Sequence, residues 1–273
     1  STPTGVYSID GKTLAYVYAG DLLGNVWKFD LTSNTPGAWS VSKLFTATNA
    51  GGDAQPITSG IAVALEPSTN KRWIFFGTGR YMTVEDADPA NNTSQSMYGF
   101  VDDGSTITRA GLAERKIEVT GEAVSGFQVR GFQKKEALPS GAKGWFIDLP
   151  GAGERIVQDA QVVSTFLLTA SMMPAGEACE ADGSGFINAL DAFTGTSAGG
   201  SYFDLDGDGQ SANDQTSDGR PVLFINIEVG MTTLPNLLRG LIVVGGTGGG
   251  GVRSATTLRP QFDRVSWREI RVD

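Results

Sequence analysis

The residues with the clearest chemical potential form one run, Ser201-Tyr-Phe-Asp204-Leu-Asp206-Gly-Asp208-Gly209-Gln210-Ser-Ala-Asn213-Asp214. Carboxylates at loop positions 1, 3 and 5, with Gly at position 6, allow one short loop to wrap oxygen donors around a hard cation. The backbone carbonyl at position 7 adds a neutral ligand. The pattern reads as a calcium site built from Asp204, Asp206 and Asp208 with the Gln210 carbonyl. Position 12 is Gln215, where an EF-hand has its bidentate Glu, so closure has to come from elsewhere. Asp214, one residue earlier, is the best substitute, with Asn213 and Asp218 as the other choices. No Lys or Arg lies between Ser201 and Gly219, so the acids repel one another unless a cation joins them. A bare, solvated hairpin tip is the competing reading.

Other chemistry is thinner. The chain has 273 residues and no His, which excludes Ser-His and Cys-His nucleophile pairs and the usual nitrogen ligands of zinc. Its 30 Asp and Glu against 21 Lys and Arg leave a net charge of -9 with no basic stripe, so nucleic acid is not an expected partner. No apolar run approaches the roughly 20 residues that cross a bilayer, and no signal peptide is apparent, so the chain is expected to be soluble as given. The Gly245 to Gly251 run contains GxGxxG, but a short, Pro-interrupted stretch follows it instead of a helix, and it reads as a turn. Asp102-Asp103 and the Glu85-Asp86-Ala-Asp88 cluster suit solvated loops better than paired acid and base. Asn92-Thr-Ser94 reads as an ordinary loop, and the lone Cys179 permits no internal disulfide.

These groups must be positioned by strands. Gly supplies 37 residues, helical periodicity is scarce, and short apolar or alternating runs bounded by Gly, Asn and Asp recur throughout. Expected strands are 14–19, 25–31, 57–65, 73–77, 96–102, 115–119, 144–149, 162–170, 186–191, 222–229, 241–246 and 265–271. A weak repeat organises them: an apolar run closing on Gly, a turn, then aromatic or aliphatic residues closing on Asp. Tyr16 to Leu31 is the first copy, and Ile74 to Gly79 with Met97 to Asp102 is the second. Partial copies end at Asp148 and Asp191. Such units resemble propeller blades, four-stranded sheets that bury their faces against their neighbours. The closing Asp30, Asp148 and Asp191 are expected to cap turns, and Trp27, Trp73, Trp145 and Trp267 to lie between blades. An irregular β-sandwich is the competing architecture.

The runs Tyr18-Ala-Gly-Asp-Leu-Leu-Gly-Asn-Val-Trp-Lys-Phe-Asp30, Phe76-Gly-Thr-Gly-Arg-Tyr81 with Gln95-Ser-Met-Tyr-Gly99, and Arg264-Val-Ser-Trp-Arg-Glu-Ile270 resemble the C-terminal propeller of the PilY1 family of type IV pilus tip-associated adhesins. The resemblance covers nearly the whole chain and implies an all-β, propeller-like domain over 1–273, incomplete or modified, with irregular blades and long insertions. Since about seven blades close such a ring, the chain is expected to be the C-terminal part of a longer protein. The family's aspartate-rich loop ahead of the YxGD strand is reduced here to Asp10 and is not carried over. What the resemblance implies is a non-enzymatic, calcium-binding module, exported to the bacterial surface at the pilus tip or outer membrane. It would contact pilus or minor pilin subunits and a host or surface receptor, with calcium favouring pilus extension and its loss retraction. Two other classes remain: a quinone-dependent dehydrogenase, suggested by Gly185 to Gly195 but opposed by the single Cys, and a glycan-binding propeller.

Overall fold

The computed structural model describes residues 1–257 except 9, 89–92, 176–182, 234, 239–240 and 249–252. The expected strand 265–271, the 264–270 motif, Trp267, Asn92 and Cys179 lie outside the described residues.

The first sheet is an antiparallel meander of β1 (Thr4–Tyr7), β2 (Leu14–Gly20), β3 (Asn25–Asp30) and β4 (Ser40–Thr46). The second begins with β5 (Ala62–Leu65), β6 (Arg72–Gly77) and β7 (Ser96–Val101), and the single α-helix among the described residues, α1 (Val84–Ala87), lies between β6 and β7. The chain then forms β8 (Ala113–Arg115), β9 (Ile117–Val124) and β10 (Phe127–Phe132) before the last strand of the meander, β11 (Gly144–Asp148). The third sheet uses β12 (Gln161–Val163), β13 (Phe166–Pro174), β14 (Gly183–Asp191) and, after the two-residue β15 (Phe203–Asp204), β16 (Val222–Asn226). The fourth contains β17 (Asn236–Leu238), β18 (Leu241–Val244) and β19 (Arg253–Thr257).

The expectation of uniform four-stranded blades is corrected by the pairing. The strand orders are β1-β2-β3-β4, β5-β6-β7-β11-β8, β12-β13-β14-β16-β10-β9 and β15-β19-β18-β17. The connection between the third and fourth meander strands of the second sheet sends the hairpin β9–β10 across to pair with β16 of the third. The same connection in the third sheet sends β15 to pair with β19 of the fourth. Both transfers cover an outer edge whose backbone N–H and C=O groups would otherwise lack partners.

Alternation explains how the sheets stack. On β6 and β7, Ile74, Phe76, Tyr98 and Phe100 face the first sheet, where they join Tyr18, Val26 and Phe45. The intervening Trp73, Phe75 and Met97 face the third, joining Ile187, Ala189 and Leu190. A strand buried on both sides reads as a continuous apolar run, which is why Trp-Ile-Phe-Phe precedes Gly77. The tightest point is Trp145 on β11. Its indole N–H donates to the Ala192 carbonyl at 2.8 Å, and the ring is held between Gly99 and Gly195.

A methyl group at Gly99 would lie 2.6 Å from the Trp145 ring, whereas one at Gly37 would meet nothing within 4 Å. Gly99→Ala is expected to lower stability by about 1–3 kcal/mol through overpacking. Gly37→Ala should stay within about 0.5 kcal/mol. Urea titration checks both, and equal midpoints would show that the ring is free to move aside.

Candidate metal centre

The aspartate run lies in the third-sheet connection that reaches the fourth sheet. Its expected character, a surface insertion separable from the core, is corrected at both ends. Tyr202, Phe203 and Leu205 are buried, and Asp204 belongs to β15, paired in register with Thr256. Asp204 is 6% and Asp214 4% exposed, while residues 206–210 are exposed. The run is therefore an exposed tip on a stem gripped between two sheets.

The loop is shaped by its own carboxylates. Asp204 Oδ1 accepts the Gly207 N–H at 2.8 Å and its Oδ2 the Gly209 N–H at 2.9 Å. Asp206 accepts from the Asp208 amide, and Asp208 from the Gln210 amide and the Asn213 side chain. Gly209 takes φ of +86°, a left-handed conformation that Gly adopts without penalty, which fixes the sharp turn at position 6. One carboxylate oxygen from each of Asp204, Asp206 and Asp208 falls within 4.8 Å of the others, close enough for one ion to span. Gln210 directs its carbonyl at the Asn213 amide, 3.2 Å away, and keeps one lone pair for another donor or a cation.

Asp214 returns to the start of the loop. Its Oδ2 accepts the Leu205 N–H at 2.9 Å, and its carbonyl accepts the Ser201 hydroxyl. Burial raises the Asp214 carboxyl above the ordinary range; the Leu205 amide opposes this, and the charges of Asp206, Asp204 and Asp208 add to it. Among the described residues, none of Asp206, Asp208 and Asp214 forms an ion pair. All five expected residues thus meet in one loop, and an oxygen-only anionic donor set suits a hard divalent cation. Asn213 is spent on Asp208, and Asp218 turns away to Thr216 and Arg220. Ser211, 2% exposed with no partner for its hydroxyl, is a loop residue that sequence spacing did not single out.

The other acids separate by role. Asp30 caps a turn through the Thr32 amide, and Asp191 does so through those of Phe193 and Thr194, as expected. Asp148 does not cap a turn; it accepts Arg109 and the Ser96 hydroxyl, each at 2.6 Å. Asp102, expected in a solvated pair, is buried and accepts the Tyr18 hydroxyl and the Lys28 ammonium, tying the first sheet to the second. Asp86 is likewise buried. Trp73 and Trp145 are core, while Trp27 is half-buried with its N–H on Asp21. Residues 245–248 run against 229–233, and strand β19 follows the Gly-rich run, as a turn requires. No helix among the described residues is long and apolar enough to cross a membrane.

Residues 1–121 match the PilY1 beta-propeller domain family. A type IV pilus biogenesis factor PilY1 homolog of Xylella fastidiosa is 38% identical over 266 residues, covering 93% of this chain and 21% of that protein. The type IV pilus biogenesis factor PilY1 of Pseudomonas aeruginosa is 25% identical over 232 residues, covering 70% of this chain and 20% of that protein. The chain thus spans about a fifth of the length of these relatives. The crystal structure of the Pseudomonas aeruginosa PilY1 C-terminal domain matches with a TM-score of 0.74 at 23% identity, over 93% of this chain and 59% of that one. That likeness carries the fold: mostly β, propeller-like and not closed into a ring.

In chelator, Asp206→Asn should leave the midpoint of urea unfolding unchanged or raised, because it removes one of the charges that press on Asp214. A clear loss of stability would show that the Asp206 carboxylate supports the loop without a cation.

Proposed function

We infer, from the premise that this chain is a β-propeller segment of the PilY1 family, that it serves type IV pilus biogenesis as a non-enzymatic, calcium-binding surface module. The observation that supports calcium is the convergence of three carboxylates within 4.8 Å, on a loop whose shape is already set by backbone bonds. Asp204, Asp206 and Asp208 would hold the ion through side chains, and Gln210 through its carbonyl. Asp214 would close the shell from the buried side.

The location gives binding a consequence. Asp204 is both the first ligand and part of the β15 pairing with β19, so an ion drawing the loop together fixes the register between the third and fourth sheets. Without it, the mutually repelling acids loosen the exposed tip and weaken that junction, changing the surface offered to a partner. Pilus or minor pilin subunits are the proposed partners, at the bacterial surface. Control of extension and retraction and adhesion to a receptor are proposed as outcomes of this change.

Asp206→Ala should abolish terbium luminescence and calcium heat in calorimetry while the circular dichroism of the sheets stays nearly unchanged. Calcium should also slow hydrogen exchange at β15 in the wild type and not in the variant. Undiminished binding would remove Asp206 from the site. The same substitution in the full-length protein should alter surface piliation between calcium-replete and chelated cells; wild-type piliation in both would separate the site from pilus assembly.

A further inference from the structure

Between the β2–β3 turn and the segment after β6 lies a cavity of about 230 Å³, with Leu22, Pro56, Arg80, Asp86, Gln95 and Arg155 among its walls. Asp86 anchors it. Its Oδ2 accepts the Met82 and Thr83 amides at 3.0 Å, completing the capping box of α1, and its Oδ1 takes Arg80 Nε at 2.7 Å. Burial pushes the Asp86 carboxyl up, but the Met82 amide, the Arg80 guanidinium and the Thr83 amide outweigh it and hold it at about 2, so it is ionised at neutral pH. Arg155 reinforces the wall from behind, donating to the carbonyls of Arg80 and Asp86 at 2.9 and 2.7 Å.

Two groups in this setting have unused capacity. Arg80 uses only Nε, and its Nη1 and Nη2 form no hydrogen bond among the described residues. Gln95 is 6% exposed, and its Oε1 accepts nothing although its Nε2 donates to Thr93. Rotating the amide would exchange an orphan acceptor for an orphan donor, so neither orientation satisfies it. A buried acceptor of this kind costs free energy until a donor arrives. Arg80 offers donors across the same cavity.

The geometry points to a receptor pocket for a neutral carboxamide, the side chain of a Gln or Asn on a partner polypeptide. Its NH2 donates to Gln95 Oε1, and its carbonyl accepts from the Arg80 Nη edge. A carboxylate fits less well, having no proton for Gln95 and facing ionised Asp86. An aliphatic side chain would satisfy neither group. The volume suits one such side chain, and exposed Leu22, with Met82 and Val84 on the turn that carries Asp86, offers apolar contact to its neighbours. This pocket is separate from the cation loop and does not depend on it.

The test is a nuclear magnetic resonance titration of the 15N-labelled chain with N-acetyl-Leu-Gln-N-methylamide and with its Leu-Glu counterpart. The Gln peptide should shift the Gln95 side-chain NH2 and Arg80 Nε–H signals saturably, and the Glu peptide should bind about tenfold more weakly. Gln95→Met, nearly isosteric, should abolish the saturation at Arg80 while the remaining amide spectrum is preserved. Asp206→Ala should leave the titration unchanged, which distinguishes this pocket from the cation site. Absence of saturation in the wild type, equal or tighter binding of the Glu peptide, or full binding by Gln95→Met would each overturn the assignment.

Discussion

A sheet with large apolar side chains on both faces has no side to give to water, and most of this architecture follows from that constraint. The second sheet shows it most plainly, with Phe76 and Phe75 as chain neighbours committed to different cores. Each face must be covered by another sheet at close range. Close range requires that some positions carry no side chain: Gly20 admits Ile57, Gly77 admits Ile156, and Gly99 with Gly195 admits Trp145. These contacts carry hydrogen bonds as well, since the Ile57 amide bonds the Asp21 carbonyl and the Ile156 amide bonds the Thr78 carbonyl. The Gly that ends a strand and the Ile that begins the next segment are therefore two halves of one joint.

Charged groups are placed at the joints rather than in the sheets. Between the first and second sheets, Asp102 gathers Tyr18 and Lys28, and Tyr16 lies against both the Lys28 ammonium and the Arg72 guanidinium. On the third sheet, Arg130 of the transferred hairpin makes a two-pronged bond with Glu154 at 2.8 and 2.9 Å, and its guanidinium lies 3.7 Å from the Phe186 ring centroid. Glu154 also accepts the Gly151 amide and the Ser171 hydroxyl. A buried pair satisfied on this scale fixes where the hairpin docks, because a shift of register would strand two charges.

Sequence reading reached the parts of this design that have a local signature. The Gly-turn-Asp repeat located most strands, and the Asp204 to Gly209 spacing located the loop without any knowledge of the fold. What it missed is non-local. β15 has two residues and exists only because β19 lies beside it, and β9 exposes much of its length, so neither displays a strand period. Asp148 looks like Asp30 in its own repeat unit, but it has Arg109 within reach and Asp30 does not, a difference set by the long second-sheet insertion. The unsatisfied Gln95 oxygen could not be seen from composition at all, because the orphaning of a group is a property of its surroundings.

The strands lent from one sheet to the next carry a mechanical meaning. A propeller made of self-contained meanders is joined by single connections, and tension along the chain can peel its outer strands one sheet at a time. Here β9 and β10 complete the third sheet but are tethered at both ends to the second, and β15 links the third to the fourth in the same way. A pull that reaches one sheet is shared with its successor, across several backbone hydrogen bonds at once. The smallest unit that can yield is then a pair of sheets, and the chain resists load as a clasped series rather than a string of beads.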